Sequence, residues 1–295
     1  MYLFDNTMPV YKGNLHLHTT RSDGRLAPED AISLYQTMGY DFLAVTDHWT
    51  GGIEGFHKNM LLLGGTELDF YLPNQVLHMV CLGLKETSIA ALSRNNTPQE
   101  AIDATTGDGG LVILAHPAWS LNTPDVIAEL NGVTAAEIYN TVSGMPWNGD
   151  RADASNLLDI VASNGRTMNF VASDDAHFYN GDQCRAFIMV QAASLTRDAV
   201  YEALKAGRFY ASQGPRFEEI ELIDDALRVV CSPVERILFY SNLPYVANRC
   251  RTGSDMRRAI YERVVHANSR DRYVRCQIID KDGNSAWSNP IVFVE

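Results

Sequence analysis

Through about residue 210 the chain alternates short β-branched or aliphatic runs with stretches whose apolar positions recur at helical spacing. The runs predict strands at residues 14–18, 41–46, 61–68, 76–84, 111–115, 135–139, 167–173 and 186–191. Helices are predicted at 28–38, 98–106, 123–132, 152–163 and 196–206. Their boundaries carry the usual punctuation: Pro28, Pro98 and Pro124 near starts, Gly39, Gly165 and Gly207 after ends. Continuous apolar strands separated by amphipathic helices imply a parallel sheet covered by helices. With this many units a closed or nearly closed barrel is expected over an open sheet. The first region, residues 1–214, therefore reads as α/β and barrel-like.

After Gly214 and Pro215 the pattern changes to short alternating runs at 218–222, 227–230, 237–240, 272–279 and 290–294. Asp282, Gly283 and Asn284 form a turn signal between two of them. Residues 215–295 are expected to form an all-β, sandwich-like region, with Trp287 and Phe293 holding its sheet together.

Composition changes this picture little: the 295 residues are 46% hydrophobic and 20% charged, without a low-complexity tract. No apolar run approaches the roughly 18 to 20 residues of a membrane span, and the first residues lack a basic segment leading into an apolar one. The five cysteines are widely spaced and contain no Cys-x-x-Cys pair, which fits a reducing compartment and a cytoplasmic location. The formal net charge of −12, with no stripe of Lys and Arg, argues against gripping long nucleic acid.

Chemistry gathers at the ends of the predicted strands, the rim where parallel α/β folds place active sites. His16 and His18 lie two apart on the first strand, so both imidazoles share a face. Asp23 follows in a Ser-Asp-Gly loop, and the second strand ends Thr46-Asp47-His48. Glu67 ends the third and His78 lies on the fourth, Ala115-His116-Pro117 ends another, and Asp175-Ala176-His177 closes the series. Imidazole mixed with carboxylate suits Zn²⁺, Mn²⁺ or Fe²⁺. Asp47 and Asp174 adjoin these residues and are candidates to orient imidazoles. Arg185 and Asn140 are the candidate substrate contacts, with Lys12, Arg21, Trp119, Trp147 and Tyr179 nearby in the sequence or in rim loops. His57 and His266 have no partner motif.

These motifs, in this order over residues 11 to about 180, resemble the PHP (polymerase and histidinol phosphatase) superfamily. Residues 207–215 and 286–290 resemble its CehA/McbA-like branch, which carries a β-rich C-terminal domain. The resemblance implies a distorted (βα)7 barrel holding two or three divalent metal ions. It assigns His16, His18, Glu67 and Asp175 to one ion, Glu67 with His78 and His116 to a second, and Asp23, His48 and His177 to a third. The family commonly has serine directly before the liganding aspartate; here Asp174 intervenes, and the Asp-x-His spacing gives the role to Asp175.

Glu67, Asp175, His48 and His177 are expected at the centre of the reaction. Three divalent ions against three carboxylates leave the pocket at about +3, which favours a phosphate dianion. A bridging hydroxide of lowered pKa would then attack a small phosphate ester or nucleotide. The same metals would also serve a carboxylic ester, carbamate or amide. A third reading is a non-catalytic, metal-stabilised binding module.

Overall fold

The computed structural model describes residues 2–5, 7–266 and 269–293. The N-terminal region comprises β1 (Tyr2–Phe4), β2 (Val10–Asn14), α1 (Pro28–Thr37), β3 (Phe42–Val45), β4 (Gly55–His57), β5 (Met60–Leu72), β6 (Gln75–Leu82), α2 (Glu86–Ala91), α3 (Pro98–Gly107), β7 (Leu111–Leu114), α4 (Pro124–Glu129), β8 (Ala135–Asn140), α5 (Ser155–Ser163), β9 (Asn169–Ser173), β10 (Phe187–Gln191), α6 (Arg197–Lys205) and β11 (Phe209–Ser212). The expected helices are present, and so are the expected strands except at 14–18, where the ladder lies upstream in β2. The helix starts follow local chemistry: Thr97 and Glu100 form a reciprocal capping box ahead of α3, and Thr123 and Thr196 cap α4 and α6.

The sheet is mixed, which corrects the all-parallel expectation. Strands β2, β3 and β5 pair in parallel, as do β7, β8 and β9. Between these sets β6 runs antiparallel to both β5 and β7. The reason is local: only Pro73 and Asn74 separate β5 from β6, and Asn74 takes φ +63°. A two-residue connection permits only an antiparallel hairpin.

The seven strands β2, β3, β5, β6, β7, β8 and β9 thus follow one another in space. Where β2 and β9 end, the chains meet through a Leu17–Ala176 bridge and hydrogen bonds from Asp175 N–H to His16 O and from His18 N–H to Ala176 O, each 2.9 Å.

Strand alternation feeds two cores. Met79, Cys81, Val112 and Leu114 pack with Ile102 of α3, Ile127 of α4 and Leu158 of α5. Their neighbours Val80, Leu82, Leu111 and Ile113 pack with Phe42, Ala44 and the apolar face of α6. Burial on both faces explains why these strands read as continuous apolar runs.

The C-terminal β region comprises β12 (Phe217–Ile223), β13 (Ala226–Ser241), β14 (Cys250–Glu262), β15 (Val265–His266), β16 (Ser269–Arg270), β17 (Tyr273–Ile279), β18 (Ser285–Ser288) and β19 (Ile291–Val292). The two runs expected at 227–230 and 237–240 are one strand, β13. Its register shifts between Val230 and Val234, around Pro233. Strand β14 is exposed at most positions, with only Ala259 and Tyr261 near its end buried, so it carries little apolar alternation to read. The segment expected at 290–294 forms β19, with Val294 outside the described residues.

The two regions are joined by hydrogen-bonded strands. Strand β10 pairs with β2 and β11, β11 with β18, and β18 with β17; β1 pairs with β12. Phe293 lies in the C-terminal core as expected, but Trp287 does not. It is buried in the N-terminal core, stacked on Tyr139 of β8 at 5.7 Å and 25°. The Arg275 guanidinium forks onto Asp159 of α5 at 2.7 and 2.6 Å. Asn289 accepts from Phe170 N–H and donates to the carbonyls of Gly207 and Phe209.

Candidate metal centre

The nine residues expected as ligands converge at one rim of the N-terminal strands. Asn14, the last residue of β2, donates to His16 O and accepts Asp174 N–H. This ties the His16–His18 segment to the end of β9. Asp23 reaches the site because its loop folds tightly onto the chain: a Cβ on Gly24 would come within 2.3 Å of His18 O. Asp47 fixes the same loop, accepting from Thr19 N–H, Thr19 Oγ1 and Ser22 Oγ. His116 and Asp175 hold left-handed backbone conformations, φ +29° and +52°, a local strain that turns both side chains inward.

Three groups of donor atoms result, each with its ligating atoms within 4.8 Å of one another. The first is His16, His18, Glu67 and Asp175; the second is Glu67, His78 and His116; the third is His18, Asp23, His48 and His177. Glu67 faces two ways. Its Oε2 lies 3.1 Å from His16 Nε2 and 2.9 Å from His18 Nε2. Its Oε1 lies 2.8 Å from His78 Nδ1 and 3.1 Å from His116 Nε2. Asp23 Oδ1 is 3.5 Å from His177 Nε2 and Oδ2 is 3.8 Å from His48 Nε2. The third group differs from the expectation by including His18.

This donor set fits divalent cations. Ligands at about 2.1 Å around one ion stand roughly 3.0 to 3.4 Å apart, the spacing of the first group. Asp175 Oδ1 is buried without a hydrogen-bond partner, although His16 Nε2, His18 Nε2 and His177 Nδ1 approach within 3.1, 3.2 and 3.4 Å. His177 Nδ1 is turned to the Asp175 carbonyl at 2.7 Å, so it is His16 Nε2 and His18 Nε2 that crowd this oxygen at ligand-to-ligand spacing.

A further layer fixes the imidazoles. His16 Nδ1 lies 2.8 Å from Glu137 Oε1, and His116 Nδ1 lies 2.9 Å from Ser120 Oγ. The other Glu137 oxygen accepts His116 N–H and the Asn140 amide, which also reaches Asp175 Oδ2 at 3.2 Å. The sequence reading missed Glu137. Its signal was a lone acid in the apolar run 135–139, two places past the strand start and three before Asn140. Asp47 and Asp174 touch no imidazole. Asp174 instead accepts Tyr35 Oη, Thr141 Oγ1 and the N–H groups of Cys184, Arg185 and Ala186, anchoring the chain that enters β10. Burial pushes its carboxyl up to about 6, against those donors.

The electrostatics of the metal-free chain follow from crowding. Burial opposes protonation of His16, yet Asp175, Glu67 and Glu137 outweigh it and hold this imidazole well above its usual range. His18 and His78 are raised in the same way, against burial. His177, opposed by burial but beside Asp175 and Asp23, rises to about 9. His48 alone is lowered, because burial exceeds the pull of Glu67 and Asp23. Glu67, Asp175 and Asp23 sit below the ordinary carboxylate range despite burial, held there by the surrounding imidazoles.

A cavity of about 270 Å³ opens over the donors, lined by seven of the nine together with Trp119, Val142, Ser143, Asn148 and Phe178. Among the described residues no Lys or Arg lines it. Arg185 is exposed, its Nε donating to Gly181 O, and does not line the cavity. Asn140 is fully buried and turned to Glu137 and Asp175. Trp119 packs edge-on against His116 at 5.0 Å. Trp147 stands against Phe178 outside the lining, and Tyr179 donates to His18 O. The Lys12 ammonium covers the Tyr40 ring, and Arg21 is exposed. His57 on β4 and His266 on β15 belong to none of the three groups.

No family model and no curated protein matches the chain by sequence. Among solved structures, similarity is found to a two-domain protein of Bacteroides vulgatus containing a predicted PHP-like metal-dependent phosphoesterase. Identity is 12%, the TM-score is 0.52, and the alignment covers 98% of this chain and 96% of that one. The lesion-specific endonuclease EndoQ of Pyrococcus furiosus aligns at 14% identity and a TM-score of 0.46, over 67% of this chain and 56% of that one. An amidohydrolase of Chromobacterium violaceum, with sulfate bound and no metal, aligns at 16% and 0.46, over 67% and 96%. The first of these likenesses, spanning both chains almost completely, shows a shared two-region fold.

Proposed function

We propose that the chain is a divalent-metal-dependent hydrolase of the PHP superfamily, in its CehA/McbA-like branch, acting as a phosphoesterase on a small phosphate ester. In this reading residues 1–214 form a distorted seven-stranded barrel closed at the Leu17–Ala176 bridge, and residues 215–295 form a sandwich-like module. The observation that carries it is the division of Glu67 between two histidine groups, with a third group beside them.

His16, His18, Glu67 and Asp175 would hold one ion, Glu67, His78 and His116 a second, and Asp23, His48 and His177 a third. Bound there, Mn²⁺, Zn²⁺ or Fe²⁺ would supply Lewis acidity, lowering the pKa of water and neutralising charge on the ester. The chain's own residues do the rest. Glu137 and Ser120 fix which nitrogens of His16 and His116 face the pocket. Asn140 holds Asp175. Trp119, Val142 and Phe178 screen water from a cavity whose size suits a compact ester.

A specific observation favours a second reading, hydrolysis of a carboxylic ester, carbamate or amide: among the described residues the lining lacks Lys and Arg, so no side chain of fixed positive charge would hold a phosphate. The deciding experiment counts bound metal, then measures turnover of phosphate monoesters and diesters beside carboxylic and carbamate esters. Phosphate-selective turnover, lost in His16→Ala, is expected. Acyl-ester turnover without phosphate turnover would transfer the enzyme to the second reading.

A further inference from the structure

Among the described residues, one buried imidazole nitrogen of the site has no hydrogen-bond partner. His16 and His116 each present a second nitrogen to Glu137 or Ser120, but His48 Nδ1 is buried with no hydrogen-bond partner. The carboxylate facing it is Asp69, whose Oδ1 lies 3.9 Å away. Asp69 stands two residues beyond Glu67 on β5, so the strand period presents both acids to the same face.

Asp69 is tightly held. Arg94 forks onto it, Nε to Oδ2 at 2.6 Å and Nη2 to Oδ1 at 2.8 Å. The Trp49 indole donates to Oδ1 at 2.6 Å, and the Arg94 guanidinium lies over the Trp49 ring at 5.2 Å. Trp49 follows His48 directly and holds φ +53°, the turn that directs its indole back to Asp69. Three donors therefore hold this carboxylate, two on Oδ1 and one on Oδ2. Its charge is compensated, and Oδ1 remains turned to the imidazole.

We infer that Asp69 is the positioning residue for His48: it accepts the Nδ1 proton, so that Nε2 stays unprotonated and aimed at Asp23 and Glu67. Arg94 and Trp49 hold Asp69 in place and keep it from becoming a fourth carboxylate ligand. A buried imidazole nitrogen requires such a partner, and a shift of about 1 Å closes the gap to hydrogen-bonding distance. The consequence for metal binding rests on the reading proposed above; the consequence for the imidazole does not.

The test has two arms. Long-range ¹H–¹⁵N spectra of the metal-free chain, with His48 assigned through His48→Gln, should show the ring proton on Nδ1. Asp69→Ala should lose this preference. Protonation at Nε2 in the unaltered chain overturns the inference, whether or not any variant folds. In the second arm Mn²⁺ and Zn²⁺ binding is titrated. Asp69→Ala should weaken one ion about 10- to 100-fold and leave the others, while Asp69→Asn, whose amide oxygen still accepts, should recover most of the loss. Equal weakening of every ion would mean a merely structural role and also overturn it. A chain with the Nδ1 proton but no bound metal would keep the Asp69 pair and defeat the metal reading instead.

Discussion

The donor groups on either side of His18 are built differently. His16, His18, Glu67 and Asp175 are all at most 3% exposed, and hydrogen bonds to Glu137 and Asn140 hold two of them in place. Asp23, His48 and His177 are open, with side-chain exposures of 55, 21 and 19%. Asp23 hangs on a loop fixed by Asp47. The closed group is preorganised and shielded, whereas the open one faces the cavity and solvent. Cation affinity and exchange should therefore differ between neighbours only a few ångströms apart.

Replacing Glu67 by Gln attacks the closed group where it is shared. Metal content should fall by more than one equivalent and turnover by about a thousandfold or more; elemental analysis showing a loss of one equivalent or none would break the bridging assignment. Asp23→Ala should cost one equivalent and leave the closed groups loaded. A chelator should strip metal from the unaltered protein in a fast and a slow phase, and the fast phase should be missing in Asp23→Ala.

A smaller effect concerns protons. His16, His18 and His78 are raised, and His177 reaches about 9, so near neutrality the metal-free site carries protons that a cation must displace. Affinity should rise with pH up to about 9 and fall as acid returns those protons. Calorimetry in buffers of different ionisation enthalpy should find more protons released per ion from the closed group, since His48 of the open one is already neutral. His57→Ala touches neither group, and its kcat/KM should stay within about twofold.

The clustering of the nine candidate ligands was legible because metal chemistry restricts residue type and the strand ends restrict position. His16-x-His18 and Asp175-x-His177 follow just past the ends of β2 and β9 and flank the Leu17–Ala176 bridge, so their spacing marked the rim although neither pair lies in a strand. Glu137 escaped because one acid within an apolar run carries no spacing partner, and Asp69 because its partners Trp49 and Arg94 are distant in sequence. The apolar runs gave strand positions but not direction. That was encoded in Pro73 and Asn74, whose two-residue turn reverses β6. Strand β14 is mostly exposed and polar, and stands as a strand through its pairing with β13.

The seat of Trp287 against Tyr139 also bears on how the protein is made. Tyr139 lies on the strand that supplies Glu137 and Asn140, so this indole backs the strand on which the donor cluster leans. Ribosomes deliver it more than a hundred positions after Asp175, roughly 6 to 20 seconds later at about 5–20 residues per second. Until then the N-terminal core lacks the indole that packs against β8. Synthesis cannot complete the packing behind the donor cluster and leave the rest as an appendage; the nascent chain has to wait for its own far end.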